Sequence, residues 1–243
     1  SSATKVVVKA TTTDDTDSGD VVITANTGAV LTAEDAFTYT AASDITAVEP
    51  ANGQVGTVVT ISGTNLRGNG ANVTSVTLAG EDAEINSESD TEVIVAAAAG
   101  ANKTGDVVVT SDTGAIATEA DAFSYESEGN ITDGAPASGQ FGTEIVVSGT
   151  ALRGYGGEVV SVTLVDASAN ITSENDTHVE IIAGAGPDDK TTVDIVLVAD
   201  SGAIVTGSDS FQYLVPGEIK FVNPAFGQVD TEVAITGERL CGG

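Results

Sequence analysis

Apolar and polar residues alternate in short stretches along this chain, and each stretch recurs at a fixed distance. In residues 57–63, the positions of Val59 and Ile61 are apolar in three copies, whereas Val58, directly before Val59, is replaced by glutamate in two. Alternation with a period of two is typical of a β-strand with one buried face. A shift of one residue would bury the glutamates, so the register is well specified. The aligned residues are Glu144, Ile145 and Val147 in the second copy and Glu232, Val233 and Ile235 in the third.

Two blocks of sequence carry the repeat, and self-similarity at a fixed period indicates a tandem architecture. A block that ends in Phe-x-Tyr recurs at Phe37, Phe123 and Phe211, which are 86 and then 88 residues apart. The two additional residues fall near 184–190, in a predicted loop. The second block runs from an isoleucine through Pro-Ala-x-Gly-Gln and has the same spacing. Its isoleucines are Ile45, Ile131 and Ile219, and further inward positions are Val76, Leu78, Val93 and Val95, aligned with Val162, Leu164, Val179 and Ile181.

Turn signals separate the predicted strands. Asn26-Thr27-Gly28 stands between two strand patterns, and its glycine supplies the positive φ that a short hairpin loop needs. The aligned turns are Asp112-Thr113-Gly114 and Asp200-Ser201-Gly202. Proline recurs at Pro50, Pro136 and Pro224, where a strand is expected to end because proline cannot donate to a ladder.

About seven short strands in a unit of fewer than about 100 residues predict an immunoglobulin-like sandwich, and no helical period competes. The fold class is therefore all-β, with tandem immunoglobulin-like sandwich repeats. Residues 4–8 resemble 91–95, so we predict that 1–43 is the second half of a repeat. Complete repeats are predicted at 44–129 and 130–216, and 217–243 supplies the first strands of a further copy. Short linkers of constant length favour a semi-rigid array.

The ordered pattern Ile-x-x-x-x-Pro-x-x-Gly-x-x-Gly-Thr-x-Val-x-Ile-x-Gly-x-x-Leu, closing with Phe-x-Tyr, resembles the IPT/TIG domain. The residues that carry the resemblance are Pro50, Gly53, Gly56, Thr57, Ile61, Gly63, Phe123 and Tyr125, and Asp230 departs from it where Gly56 and Gly142 stand. The resemblance implies an immunoglobulin-like fold found in plexins, in bacterial and algal surface proteins and in some transcription factors. Members of this family mostly act as spacers and interaction modules.

Charge excludes two classes of partner. The chain carries 36 acidic and eight basic residues, for a net charge of −28. Nucleic-acid affinity depends on Lys and Arg that neutralise phosphates, so the DNA-binding branch of the family is set aside. An acidic surface also opposes binding to anionic membranes, and no stretch approaches the about 20 apolar residues of a membrane span.

Residues that could carry catalysis are few, and we predict that the segment is not an enzyme. The only histidine, His178, aligns with Glu92 at an outward strand position, and the only cysteine is Cys241. These residues form no Ser/His/Asp or Cys/His arrangement. Carboxylates gather before the first strand pattern, where Asp15, Asp17 and Asp20 are calcium candidates, although the EF-hand spacing is missing. The aligned loops do not keep this cluster of acids, so a solvated acidic loop is the favoured interpretation and calcium is the alternative, and no other cofactor is expected.

N-glycosylation is the clearest chemical signal. Five Asn-x-Thr sequons occur, a modest excess over chance in a chain rich in Ser and Thr. They begin at Asn72, Asn102, Asn130, Asn170 and Asn175. Cys241 has two interpretations, since it either forms a disulfide with a cysteine outside this segment or stays free.

The leading hypothesis for function is a structural repeat segment of an extracellular or cell-surface filament, appendage or coat protein that carries N-glycans. Its partners would be other repeats of the same protein or neighbouring subunits, which would also complete the terminal half-repeats by continuation or by strand addition. The alternative is an adhesin or receptor ectodomain that binds protein or glycan through its loops, for which Tyr155 and Phe226 are the only unusual aromatic residues. A third hypothesis is an accessory domain of a carbohydrate-active enzyme.

Overall fold

The computed structural model describes residues 4–11, 16–165 and 167–241. Within these ranges the chain forms β-strands and turns and contains no helix. The same ranges accordingly contain no helix long and apolar enough to cross a membrane. The prediction of an all-β chain is confirmed.

Residues 44–125 form the first sandwich and residues 130–213 form the second, and the two have the same order of strands. The first contains β3 (Asp44–Glu49), β4 (Asn52–Gly53), β5 (Val58–Thr64), β6 (Val73–Leu78), β7 (Glu81–Glu88), β8 (Glu92–Ala96), β9 (Lys103–Ser111) and β10 (Ile116–Tyr125). The second contains β11 (Asn130–Ala135), β12 (Ser138–Gly139), β13 (Glu144–Thr150), β14 (Val159–Leu164), β15 (Ala167–Glu174), β16 (His178–Ile182), β17 (Thr191–Ala199) and β18 (Ile204–Tyr213). Before and after them lie an N-terminal hairpin of β1 (Ser18–Thr24) and β2 (Val30–Thr38) and a C-terminal hairpin of β19 (Glu218–Asn223) and β20 (Ala234–Glu238).

Each sandwich consists of two layers that share one strand. In the first, the strand order is β3-β5-β8-β7-β6-β9-β10-β4. The beginning of β7 pairs with β6 and its end pairs with β8, so this strand passes from one layer to the other. The short strand β4 pairs in parallel with the end of β10, whereas its neighbours in the sheet are antiparallel. Two antiparallel layers with crossing connections are the immunoglobulin-like architecture that the repeat predicts.

The core lies between the layers and uses the inward positions that alternation identifies. Val59, Ile61, Val93 and Val95 are fully buried in the first sandwich, and their counterparts in the second are also buried. Phe123 and Tyr125 close the core from β10 with their rings edge to face, and Phe211 and Tyr213 do the same in the second sandwich. The turn glycines Gly28, Gly114 and Gly202 have positive φ, as the hairpin signals predict.

The prediction fails in the third copy, where Val233 and Ile235 are largely exposed. Strand β20 forms and pairs with β19 in the expected register, but no opposing layer covers it among the described residues. Val6, Val7 and Val8 are likewise exposed and form no strand, although they resemble β8. In a sandwich, β8 lies between β5 and β7, and the N-terminal segment provides neither neighbour.

One ion pair recurs at the same place in both sandwiches. Arg67 donates to both carboxylate oxygens of Glu88, and its Nε–Oε2 distance is 2.8 Å. Glu88 Oε2 also accepts from Val73 N at 3.2 Å, so the pair holds the loop after β5 against the start of β6. Arg153, Glu174 and Val159 repeat these contacts in the second sandwich.

Candidate functional site

The two sandwiches meet at a joint that is built from three segments. These are residues 54–58 of the first sandwich, the linker 126–129, and residues 201–204 at the tip of the β17–β18 hairpin. Pairing of β4 with β10 places Gln54 beside the linker, since Gly53 O accepts from Glu126 N at 2.8 Å. The Pro-Ala-x-Gly-Gln block therefore brings one side chain to the point where one sandwich ends and the next begins.

Gln54 binds both of the other segments with its side chain. Its Oε1 accepts from Gly129 N at 2.6 Å, and its Nε2 donates to Ile204 O at 2.8 Å. The residue is fully buried, and its own backbone N–H donates to Thr57 Oγ1 at 3.1 Å. A buried amide whose donor and acceptor are both satisfied contributes stability and fixes geometry at once.

Main-chain hydrogen bonds extend the joint across the two sandwiches. Val58 N donates to Ser201 O at 2.8 Å, and Ile204 N donates to Val55 O at 3.0 Å. Neither bond depends on a side chain, so the contact consists of two main-chain hydrogen bonds between the turn at the start of β5 and the tip of the β17–β18 hairpin.

Two glycines allow this close approach. Gly56 has φ of +84°, and a Cβ atom on it would stand 2.6 Å from Gly202 O. Gly202 has φ of +83°, and a Cβ there would stand 2.7 Å from Val58 Cγ2. Distances below about 3 Å leave no space for a methyl group, so any side chain at either position would separate the two units.

The linker is also bound along its length. Ser127 Oγ accepts from Asn102 Nδ2 at 3.0 Å, and Ser127 O accepts from the Tyr155 hydroxyl at 3.1 Å. Partial burial, with Glu126 and Asp176 nearby, raises the pKa of Tyr155. Tyr155, one of the two aromatic residues that favoured a binding loop, therefore also binds the linker, and the residue is 46% exposed. Phe226, the other, is 88% exposed.

Gln140 occupies the same position in the second sandwich as Gln54 in the first. Its Oε1 accepts from Gly217 N at 2.9 Å, and Gly139 O accepts from Leu214 N at 2.7 Å. Sequence reasoning overlooked these glutamines, although the signal was present because glutamine recurs at Gln54, Gln140 and Gln228 at the end of the Pro-Ala-x-Gly-Gln block.

All five sequon asparagines are exposed. Asn72 and Asn102 directly precede β6 and β9, Asn130 begins β11, and Asn170 lies within β15. Asn175 lies in the turn after β15, where its Oδ1 accepts from the backbone N–H groups of Thr177 and His178. Asn102 already donates to the linker, so a glycan on that residue would lie beside the joint.

The calcium candidates are partly covered by the described residues. Asp15 lies outside them, and among the described residues no group of three or more His, Cys, Asp or Glu side chains is placed to hold a metal ion. Asp20 Oδ1 accepts from Asp35 N at 2.9 Å, and Asp17 contributes its backbone carbonyl to Tyr39 N. The bond of Asp20 recurs as Asp106 with Asp121 and as Asp194 with Asp209, so this carboxylate stabilises a bulge in each copy.

The remaining candidates lie on the surface. His178 begins β16 with an outward side chain, and its Nδ1 is 3.0 Å from Thr177 Oγ1. Cys241 is exposed and is not in a disulfide. Among the described residues, the structure does not bring His178, Cys241, Asp17 and Asp20 together into one site.

A profile of the IPT/TIG domain matches residues 43–125 and 130–213. The chain belongs to the IPT/TIG family. The two matched ranges correspond to the two sandwiches, and the joint connects one IPT/TIG domain to the next.

Similar solved structures include the full extracellular region of plexin A4, with 18% identity and a TM-score of 0.47 over 80% of this chain and 18% of that one. SGBP-B of the Bacteroides ovatus mixed-linkage glucan utilization locus, solved with a mixed-linkage heptasaccharide, is 14% identical over 88% of this chain and 56% of its own, with a TM-score of 0.30. A gamma-CGTase from alkalophilic Bacillus clarkii is 16% identical over 81% and 31%, with a TM-score of 0.31. The chain thus spans less than two thirds of each of these proteins. A search of curated proteins found no match.

Proposed function

We propose that this segment is a non-catalytic spacer in an extracellular or cell-surface protein, in which IPT/TIG repeats are held at a fixed relative orientation. The repeats run over 44–129 and 130–216, with 1–43 and 217–243 belonging to copies on either side. The observation that carries the proposal is the joint around Gln54. One side-chain and two main-chain hydrogen bonds connect neighbouring sandwiches there, and the Gln54 side chain also accepts a hydrogen bond from the linker.

Physical reasons favour a spacer over a flexible string of domains. Each hydrogen bond of the joint contributes about 0.5–1.5 kcal/mol, and the linker holds the two partners at high effective concentration. A glutamine that binds two backbone groups also fixes direction, because its carbonyl and amide cannot both be satisfied after a large rotation.

A position outside the cell is supported by surface chemistry. The five sequon asparagines are exposed, and a net charge of −28 keeps a long array of repeats soluble and prevents its association with itself. The same surface gives no basic patch for nucleic acid. We propose N-glycans at these positions and a role in a filament, appendage or coat.

The test is a distance measurement between the two sandwiches. Spin labels are attached at Glu92→Cys and His178→Cys, two exposed and structurally equivalent positions, with Cys241→Ser removing the native thiol. We expect a single narrow distance distribution in pulsed electron double resonance. Gln54→Ala should broaden that distribution, because it removes both side-chain hydrogen bonds of the joint.

Gln140→Ala is the matched control, since it removes the same side chain from a joint that does not connect the labelled sandwiches. It should leave the distribution unchanged. A broad distribution in the chain with Gln54 intact would contradict the spacer, because the two sandwiches would then move independently.

A further inference from the structure

The second sandwich contains a loop that matches residues 54–58, the segment by which the first sandwich takes part in the joint. We call residues 140–144 the second socket and residues 54–58 the first socket. Gln140 N donates to Thr143 Oγ1 at 2.9 Å, as Gln54 N does to Thr57 Oγ1. Gly142 has the same φ of +84° as Gly56. The two sockets therefore have the same local backbone conformation.

The sockets differ in what lies against them. A Cβ atom on Gly142 would meet nothing within 4 Å among the described residues, whereas one on Gly56 would stand 2.6 Å from Gly202 O. Phe141, which aligns with the half-buried Val55, is 73% exposed. The second socket thus presents an exposed apolar side chain and a positive-φ glycine whose Cβ position is open in the described chain.

The opposite end of the sandwich pair carries the complementary part. Residues 112–116 form the tip of the β9–β10 hairpin and align with 200–204, which occupy the first socket. A Cβ on Gly114 would meet nothing within 4 Å among the described residues, although Gly114 and Gly202 have nearly the same φ. Each sandwich therefore has a socket at one end and a hairpin tip at the other.

The chain already approaches the second socket in the way that the occupied joint requires. Gly217 N donates to Gln140 Oε1, which repeats the bond between Gly129 N and Gln54 Oε1. After Gly217 the chain enters β19, as it enters β11 after Gly129. A sandwich that starts at this point would bring its own hairpin tip to the second socket, just as the second sandwich brings 201–204 to the first.

We propose that the second socket binds the hairpin tip of a following IPT/TIG sandwich in the same chain. The tip is of the type Asp-Ser/Thr-Gly-Ala. Glu144 N would donate to the Ser or Thr carbonyl of the tip, and Phe141 O would accept from the residue after the alanine. Gln140 Nε2 would donate to the carbonyl of that residue. This inference rests on the proposed spacer function and names the surface by which the spacer is extended.

The first experiment supplies the occupant. Residues 1–217 are followed by a copy of 130–216, so that a complete sandwich replaces the C-terminal hairpin. Amide hydrogen exchange at Glu144 is compared in this extended chain and in the unaltered chain, with Val58 as the internal reference for an occupied joint. We expect exchange at Glu144 to slow by roughly tenfold or more in the extended chain, because its N–H gains an acceptor.

Gly142→Ala is a second variant that separates docking from local strain. In both chains alanine must adopt a positive φ, which costs about the same in each. Only in the extended chain would its Cβ also meet the carbonyl of the docked tip, so protection at Glu144 should be lost there. An unchanged Glu144 exchange rate in an extended chain whose added sandwich shows protected core amides would overturn the proposal.

A third variant tests the socket sequence even where the extended chain does not fold. Val55→Phe together with Val58→Glu gives the first socket the sequence of the second. The doubly spin-labelled chain should keep its narrow distance distribution, and a broadened distribution would show that this sequence cannot hold a tip.

Two exchange results in the unaltered chain would also be decisive. If the Glu144 amide exchanged more slowly at higher protein concentration, the second socket would bind a second copy of the chain, contrary to the proposal. Fast exchange at Val58 would instead refute the spacer function itself.

Discussion

The N-terminal hairpin and the β9–β10 hairpin have nearly the same sequence and opposite surroundings. Both contain Gly-Asp-Val-Val, a turn that ends in glycine, and Ala-Phe-x-Tyr. Their internal geometry agrees, since the Phe37–Tyr39 rings are 5.0 Å apart and the Phe123–Tyr125 rings 5.1 Å apart, both at 82°. Yet Phe37 is 46% exposed, whereas Phe123 is fully buried.

The comparison separates features that a hairpin forms by itself from features that require the rest of the sandwich. Pairing, the turn and the aspartate-stabilised bulge form from contacts within the hairpin, so they appear in both places. Burial requires the opposite layer, which β3, β5 and β8 provide for β9–β10. The hydrophobic contribution of each aromatic side chain therefore depends on residues that are distant in sequence.

The largest contrast should come from removing the same ring in both hairpins. Phe123→Ala deletes a fully buried ring, so it should lower the free energy of unfolding of the first sandwich by about 3–5 kcal/mol. Phe37→Ala deletes a half-exposed ring and should change the free energy of opening of the N-terminal hairpin by less than about 0.5 kcal/mol. Native-state hydrogen exchange measures the two, with the second sandwich as the unaltered reference. Equal effects would mean that the N-terminal hairpin is covered in solution.

A smaller contrast separates the two complete sandwiches. The Tyr213 hydroxyl donates to Gly184 O at 3.1 Å, whereas the Tyr125 hydroxyl is buried without a hydrogen-bond partner in the described part of the chain. Tyr213→Phe should therefore cost about 0.5–1.5 kcal/mol, while Tyr125→Phe should be neutral or stabilising. Thermal unfolding of the two variants gives the sign of each change in stability. A loss of stability in Tyr125→Phe would show that the Tyr125 hydroxyl has a hydrogen-bond partner.

The smallest expected effect is on the stability of the first sandwich at low pH. Hydrogen bonds from Arg67 lower the pKa of Glu88, and Val73 N–H adds to this, although partial burial opposes it. Because the folded pKa lies below the unfolded one, the pair contributes its full stability above about pH 4.3 and loses it as the pH falls through the lowered value. Glu88→Gln should reduce this pH dependence in the first sandwich only. In the second sandwich, hydrogen bonds from Arg153 lower the pKa of Glu174 in the same way, so that sandwich serves as the control within the same chain.

The sequence predicts strands, inward faces and turns of the two complete sandwiches well because each recurs in two or three copies with independent substitutions. Val58 and its glutamate counterparts reveal the outward face directly. It predicts the joint poorly, because three of its four hydrogen bonds involve backbone groups of Val55, Val58, Ser201 or Ile204, whose pairing leaves no compositional trace. Only Gln54 and Gly56 carry a readable signal, and Gly56 is explained equally well by a turn.

A Cβ atom at Gly56 would have no space beside the next unit, so the residue at this position affects whether successive repeats keep one direction. Adding a single carbon atom there would push the neighbouring unit away, so a uniform succession of repeats requires glycine at every joint. The third copy has Asp230 at this position, still at a positive φ of 70°. In the spacer we propose, an aspartate there would push the next unit away from the geometry of the first joint, so the array would bend at that copy. The residue at this one position of each repeat would therefore decide how far a run of the proposed spacer stays straight.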